Sequence, residues 1–520
     1  MISIPAFGEE NVKISVENKS SRVAFINKAV TDDFEKYRKL LSISGYKEME
    51  YRKLDSHSFA AFRGNDKAYF LNLYENIGEL YIVEETDSLY FDHENATDDV
   101  VCTPQITQID LEDFGMSYAV RLSDGRFIIF DGGRDFAPDA DKLFDCLKKG
   151  SKGKKPRIAA WIMTHPHTDH FHCFVGFMDT YGDAVDIDAF YFNFPEHDDV
   201  ETFPALAVTG KNFDYDTSGV VYIPKMYDAI KKTAAKIYTP HTGQTYVIGD
   251  AVCEILSSMD DTIDHSSDIN PTSLVIRMQL GGQVILWAAD ASFSSCKLAK
   301  KHGEHLKADI LQVPHHGFGC GLATGEIEAY DLIRPETCFI PVAPYHGYTV
   351  FSAHKEGTRY LMRNLGVKEI IMGIPRRTIT LPYTPPIYAE KEIERNYLSG
   401  MDNCGAPTWF FTDLSTACPE DFNFTFLNTT VKDATVDIDI YFEDAALDVS
   451  RIKAVIGRKC IKTISIIGDE VDSEWRFYNP SSLKKMGIPE DVPFAVRFMS
   501  DVPIVVSNKN RRASYHAINR

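Results

Sequence analysis

Between residues 164 and 170 the chain reads Thr164-His165-Pro166-His167-Thr168-Asp169-His170, which puts three histidines and an aspartate within six consecutive positions. Neutral imidazoles and a carboxylate are the donors that zinc and other borderline divalent cations take. Packed this closely, they converge on one point without any long loop having to close. Alternation along an extended segment sends His165 and His167 to one side and leaves Asp169 and His170 for a second position. A single histidine is ordinarily a hydrogen-bonded core or surface residue, whereas four such donors at this spacing point to metal binding. A bound divalent metal brings the pKa of its water towards about 7, so the chemistry expected is hydrolysis by hydroxide at neutral pH.

A metal needs at least three or four protein groups, so more ligands must arrive from other elements. Strand candidates are Phe127–Phe130, Ile158–Met163, Leu274–Leu280, Val284–Ala288 and Ile310–Val313. The seven-residue motif follows the second of them. Asp131-Gly132-Gly133 follows the first, Asp290 follows Val284–Ala288, and His315-His316-Gly317 follows Ile310–Val313. Taken singly, a strand-terminal aspartate often caps a helix and Asp-Gly-Gly is a common turn. Four repeats of an apolar strand, an abrupt stop and a polar ligand are how α/β proteins place chemistry at strand ends.

The frame around these strands is large. The 520 residues suggest roughly three domains at about 100–200 residues each. Residues 31–45 read as a helix capped near Thr31, Asp32 or Asp33, with Tyr37, Leu40 and Leu41 at helical spacing and Gly45 as its stop. Four short alternating segments follow to about Glu85, with hairpin signals at 63–66 and 75–78, so 1–97 reads as a small α+β module. Residues 98–400 carry the motifs. Residues 401–520 break into short β segments (Phe422–Leu427, Thr435–Phe442, Ile461–Ile467, Phe494–Phe498, Ile504–Val506) that suggest a β-sandwich.

Fifty-five basic against 75 acidic residues give a formal charge of −20, which disfavours nucleic acid and anionic membranes as partners. The start lacks a signal-peptide pattern, no apolar run has the length of a membrane helix, and ten cysteines without a C-x-x-C pair read as reduced thiols. The expectation is a cytoplasmic protein with no membrane partner. Two features compete with the motif for attention. The basic run 148–157 is a solvated loop, with a phosphate-holding role as the alternative. Phe171, Phe174, Phe177, Tyr191, Phe192 and Phe194 read as core, with a hydrophobic substrate wall as the alternative.

The set of strand-end residues resembles the metallo-β-lactamase superfamily. His165, His167, Asp169 and His170 match its H-x-H-x-D-H motif, Asp131 its early aspartate, Asp290 its metal-bridging aspartate, and His315 or His316 its last histidine. The resemblance covers roughly 100–390 and implies an αββα sandwich of the α/β class holding one or two zinc ions (manganese as the alternative) at one edge. Within the superfamily, Asn270-Pro271-Thr272-Ser273, AADAS and ADILQVPHHG are most similar to the hydrolase domain of bacterial DNA-uptake competence channels; the phosphorylcholine-esterase and phosphodiesterase branches are also similar.

The resemblance implies ligation by His165, His167, Asp169, His170, Asp290 and His315, the last preferred to His316 because it comes first after its strand. Asp169 would also orient the nucleophile, and Asp131 would fix a histidine's orientation. Asn270 lies near the place of the family's third histidine, and His265 is close enough to substitute for it. His354, ahead of a helix-like stretch, is either a substrate contact or a helix cap.

VDIDIYFEDAALD (436–448) and IPEDVPFAVRFMSDVPIVVSNKNR (488–511) resemble the sensory rhodopsin transducer family, which implies a small β-sandwich for binding or homo-oligomeric assembly. Two readings result. One is a metal-dependent hydrolase acting on a small-molecule or phosphoester substrate, with a phosphoester as the expectation. The other is a scaffold of the same fold that binds a ligand, or senses one, without turnover.

Overall fold

The computed structural model describes residues 12–17, 21–54, 56–64, 67–86, 101–112, 115–134, 137–194, 219–261, 269–317, 326–341, 365–373, 376–386, 406–416, 418–428, 430–443, 449–466, 472–473 and 492–508. They divide into two compact units, one covering the described residues up to Pro385 and one covering 406–508.

Two mixed sheets form the centre of the first unit. One has eight strands, in the path Lys236–Tyr238, Ala189–Tyr191, Arg157–Ile162, Phe127–Asp131, Ser117–Arg121, Gln105–Gln108 and Arg377–Thr380, with Asp186–Ile187 beside Arg157–Ile162. The other has seven, in the order Thr245–Ile248, Ala251–Ser257, Val275–Leu280, Gln283–Trp287, Ile310–Gln312, Thr337–Ile340 and Glu369–Met372. Phe127–Asp131 and Arg157–Ile162 run parallel, as do Gln283–Trp287 and Ile310–Gln312, so their chains leave each sheet at its C-terminal edge.

The central parallel strands are mostly apolar because both faces are covered. Ile128, Phe130, Ala160 and Ile162 meet Ile276, Met278, Ile285 and Trp287 of the other sheet in one core, where the Phe130 and Trp287 rings stack at 4.2 Å. The alternate residues Phe127, Ile129, Ile158 and Trp161 pack against Leu143, Leu147, Phe174, Phe177 and Met226. These come from the helices Ala137–Gly150, Thr168–Tyr181 and Gly219–Ile230. The phenylalanines after the motif are therefore core: Phe174 and Phe177 meet the Trp161 ring edge-on at 4.9 and 5.1 Å. The basic run leads into the N-terminal end of Arg157–Ile162, away from the edge where the motif emerges, and Lys149 and Lys155 pair there with Asp145 and Asp186.

A six-stranded antiparallel sheet precedes them, with the helix Thr31–Ile43 packed on it through Phe34, Tyr37 and Leu41. Four of its strands (Lys47–Lys53, His57–Arg63, Ala68–Tyr74, Glu79–Glu85) are the alternating segments of the sequence; Val12–Glu17 and Ser21–Asn27 are additional. This sheet shares the first unit. Asn72 Nδ2 donates to the Gly243 carbonyl at 2.8 Å, and Gly243 sits at φ +92, where a Cβ would lie 2.2 Å from that nitrogen. Ser21 Oγ donates to His241 Nε2 at 2.7 Å, and His241 Nδ1 donates to Asp260 Oδ2 at 2.8 Å. Lys301 and Asp261, both buried, pair at 2.5 Å beside the Tyr81 hydroxyl.

Beside this junction, His57 packs edge-on against His302 and His305, each at 5.2 Å, around Glu254, which pairs with Arg52, Arg277 and His305. Burial pushes the His57 imidazole down to about 3, the charges on His305, Arg52 and Arg277 act the same way, and Glu254 opposes them. Burial likewise holds His302 well below its ordinary value, with His57, His305 and Lys301 adding to it.

Among the described residues of the second unit every strand pairing is antiparallel. The sixteen-residue strand Pro493–Asn508 pairs with Ala434–Phe442 through its first half and with Asn423–Asn428 through its last residues. Its seven strands thus form one connected sheet around a core that includes Phe411, Phe424, Ile438 and Phe498, and the segments read separately at 494–498 and 504–506 are one strand. Among the described residues no helix is long and apolar enough to cross a membrane.

The two neutral imidazoles set a pH dependence. In the unfolded chain they take up protons near pH 6.5, and in the folded chain only far below it. The unfolded state then binds more protons, so their contribution to stability is complete above pH 6.5 and is lost as pH falls towards about 3, the folded value of His57. Urea midpoints for the first unit should fall from pH 7.5 to 5, each imidazole adding a slope of up to about 1.4 kcal/mol per pH unit. His57→Gln should reduce that slope.

Candidate metal centre

The strand Arg157–Ile162 ends one residue before Met163, and Thr164–His167 cross the sheet edge before the helix Thr168–Tyr181 starts with His167 at its N-cap. Asp169 and His170 therefore lie in the first helical turn, where the helix N-terminus favours a carboxylate. Asp131-Gly132-Gly133 does more than turn the chain. The Gly132 and Gly133 amides donate to the His170 carbonyl at 2.6 and 3.1 Å, which docks the end of Phe127–Asp131 onto that turn. Gly133, at φ +87, has no room for a Cβ, which would lie 2.9 Å from the Leu111 side chain.

Two donor sets result. Asp169, His170, Asp290 and His316 form one, His165, His167 and Asp290 the other, with the ligand atoms of each set within 4.8 Å of one another. Asp290 belongs to both. Its Oδ2 lies 3.1 Å from His170 Nε2, 3.5 Å from His316 Nε2 and 3.8 Å from His165 Nε2, and its buried Oδ1 accepts no hydrogen bond. Asp169 Oδ2 is 3.0 Å from His316 Nε2.

The hydrogen bonds around the rings dictate which nitrogens carry lone pairs. Asp131 accepts from the Thr164 amide at 2.7 Å and its hydroxyl at 2.8 Å, and faces His170 Nδ1 at 2.7 Å. His170 Nδ1 therefore donates. His316 Nδ1 donates to the Pro341 carbonyl at 3.2 Å, since a carbonyl only accepts. In the neutral rings both Nε2 atoms then carry lone pairs, and they lie 3.2 Å apart. Thr164 Oγ1, its proton given to Asp131, lies 3.2 Å from His165 Nδ1 and can accept from it, leaving His165 Nε2 as a third lone pair. Facing lone pairs among buried carboxylates are repulsive unless positive charge, a proton or a metal cation, stands between them.

Without a metal, protons supply that positive charge. Burial opposes charge on His170, yet Asp290, Asp131 and Asp169 outweigh it and hold the imidazolium well above its usual range. For His316 burial is again outweighed, by Asp290 and Asp169, and its pKa is pushed up to about 9. Asp169 and Asp290 are both held below the usual carboxylate range: burial is overcome by His170 and His316. Donor chemistry and charge thus fit a divalent cation, and neither set discriminates zinc from manganese.

His315, the preferred last ligand from the sequence, stands outside both sets, and His316 takes that place. Both residues are left-handed (φ 51 each), which turns the chain so that the second ring points inward. His315 keeps 28% of its side chain exposed, 4.0 Å from Asp290 Oδ2 and 3.4 Å from Asn270 Nδ2. Asn270 opens a short 3-10 turn, with its Nδ2 facing His315. His265 and His354 lie outside the described residues. Thr164 was not singled out in the sequence, although its place between strand and first histidine is the signal for it. Four of the nine left-handed non-glycine residues among those described are Asp131, Ala289, His315 and His316. Such backbones cost about 1–3 kcal/mol each and persist where the surroundings over-determine them.

No family model matches the chain, and no curated protein does. Among solved structures, the metallo-beta-lactamase fold protein YhfI from Bacillus subtilis is 14% identical, covers 54% of this chain and 100% of its own, and has a TM-score of 0.33. The Anabaena sensory rhodopsin transducer is 26% identical over 20% of this chain and 82% of its own, with a TM-score of 0.16. Thermotoga maritima 1070 is 24% identical over 21% of this chain and 86% of its own, with a TM-score of 0.14. At these scores the overlap is partial, and the metal centre stands on its own donor geometry.

The four-donor set should bind zinc more tightly than the three-donor set, so metal-free protein titrated against a chromogenic chelator should show two unequal equivalents. Asp131→Asn, which turns an amide N–H towards a donor, should weaken the tighter one by about 10–100-fold.

Proposed function

We propose that this chain is a metal-dependent hydrolase of the metallo-β-lactamase type, with an αββα arrangement of its two central sheets, acting on phosphoesters. The observation that carries this reading is the shared carboxylate: Asp290 stands in both donor sets, so the residues present would offer two adjoining cation positions. When bound, a divalent cation supplies Lewis acidity and lowers the pKa of water towards about 7.

The chain's own groups do the rest. Asp131 and Thr164 hold His170 and His165 in the tautomers that present Nε2. Asp169 holds its charge at the helix N-terminus and orients the attacking oxygen. His315 and Asn270, facing each other outside the donor sets, are placed to meet substrate. Support for a phosphoester comes from the likeness of AADAS and ADILQVPHHG to the DNA-uptake and phosphodiesterase branches. The 401–520 region is proposed as a binding or assembly module, and the whole as a cytoplasmic protein.

Full-length protein carrying two equivalents of zinc or manganese should hydrolyse bis-p-nitrophenyl phosphate or p-nitrophenyl phosphate in preference to a lactone or thioester. Asp169→Ala should reduce that rate at least about 100-fold. Loaded protein that hydrolyses nothing in the panel would overturn the hydrolase reading and favour the non-catalytic scaffold.

A further inference from the structure

Asp290 is the one ligand common to both donor sets, and its backbone has already left the sheet. The strand Gln283–Trp287 pairs with Ile310–Gln312 up to Trp287↔Gln312, and there the ladder ends. Ala288 and Ala289 follow, the latter left-handed at φ 47, an arrangement with no strand partner for its amides and carbonyl. A buried peptide group without partners is costly, and a left-handed alanine is not self-supporting.

The fully buried Gln312 side chain takes over where the ladder stops. Its Oε1 accepts from the Ala288 amide at 2.9 Å and the Ala289 amide at 2.6 Å. Its Nε2 donates to the Ala289 carbonyl at 3.2 Å and the Val313 carbonyl at 2.7 Å. All four hydrogen-bonding positions of the amide are used. The Ala289 carbonyl also accepts from the His315 amide at 2.8 Å. One side chain therefore ties the segment that ends in Asp290 to the turn that carries His315 and His316.

We propose that Gln312 is the positioning residue of the metal centre: it acts through the Ala288–Ala289 backbone to set Asp290, and through Val313 to set the His315–His316 turn. The inference rests on the metal-centre reading above. Its signature follows from the sharing of Asp290. Asp131 acts on His170, a member of one set, whereas a residue that places Asp290 acts on both. No other side-chain type replaces it: glutamate keeps the two acceptors and loses the two donors, methionine keeps the volume and loses all four bonds, and asparagine is one methylene short.

The test compares wild type, Gln312→Met and Gln312→Glu in the full chain, with zinc affinities read by chelator competition and the cobalt(II) visible spectrum recorded alongside. Both equivalents should weaken in parallel by about tenfold or more, the methionine variant losing more, with the cobalt bands altered. If Gln312→Met does not fold, Gln312→Glu carries the comparison. A folded variant that melts earlier but keeps both affinities within about twofold overturns the proposal, as does a loss confined to one equivalent. Wild-type protein that binds no metal overturns the metal-centre reading and this proposal with it.

Discussion

Three buried imidazole lone pairs converging on one buried carboxylate are the constraint on which the rest of the first unit turns. His170 Nε2 and His316 Nε2 approach to 3.2 Å, and in the neutral ring each presents a lone pair because its other nitrogen donates. With neutral rings these nitrogens have no proton to give the carboxylates beside them, so the buried negative charge must be offset by a cation or by protonation of the imidazoles. The arrangement is retained where a cation satisfies it, and the outward-facing groups explain why Asp131, Thr164 and Pro341 surround it as they do.

Meeting that constraint requires four chain segments to end within a few ångströms of one another. Parallel strands accomplish this, because their C-terminal ends lie along one edge of a sheet and two stacked sheets bring two such edges together. Phe130 against Trp287 fixes the spacing of the sheets one residue before Asp131 and three before Asp290. The left-handed residues at Asp131, Ala289, His315 and His316 then turn each chain sharply inward. Strain at these positions is held by neighbours such as Gly132, Gly133 and Gln312, so the rigidity of the centre is distributed among residues that touch no ligand.

The N-terminal sheet is joined to this core by polar contacts: Asn72 on Gly243, Ser21 on His241, Lys301 with Asp261 and Tyr81. Buried networks of this kind contribute specificity of docking and make the junction sensitive to any group left unpaired. The cluster of His57, His302 and His305 around Glu254 adds a charge-sensitive element at the same junction.

Much of the site was legible in the sequence because its information is local. The spacing of His165, His167, Asp169 and His170, and the abrupt strand ends before Asp131, Asp290 and His315-His316, need no tertiary contact to be read. The helix at 31–43 and the four strands after it were equally local, through periodicity, the Gly45 stop and the hairpin signals, although the N-cap is Val30, whose amide donates to Asp33, rather than Thr31, Asp32 or Asp33. What tertiary structure alone decided were questions of direction and sharing. Adjacent histidines are equivalent in sequence, and only the left-handed turn after Pro314 makes His316 the inward one. A carboxylate in two donor sets exists only once both sheets are stacked. The role of Gln312 depends on where a ladder ends, which is a property of pairing between strands rather than of either strand. Residue type and spacing determined which groups were available; backbone handedness and sheet packing determined which of them face one another.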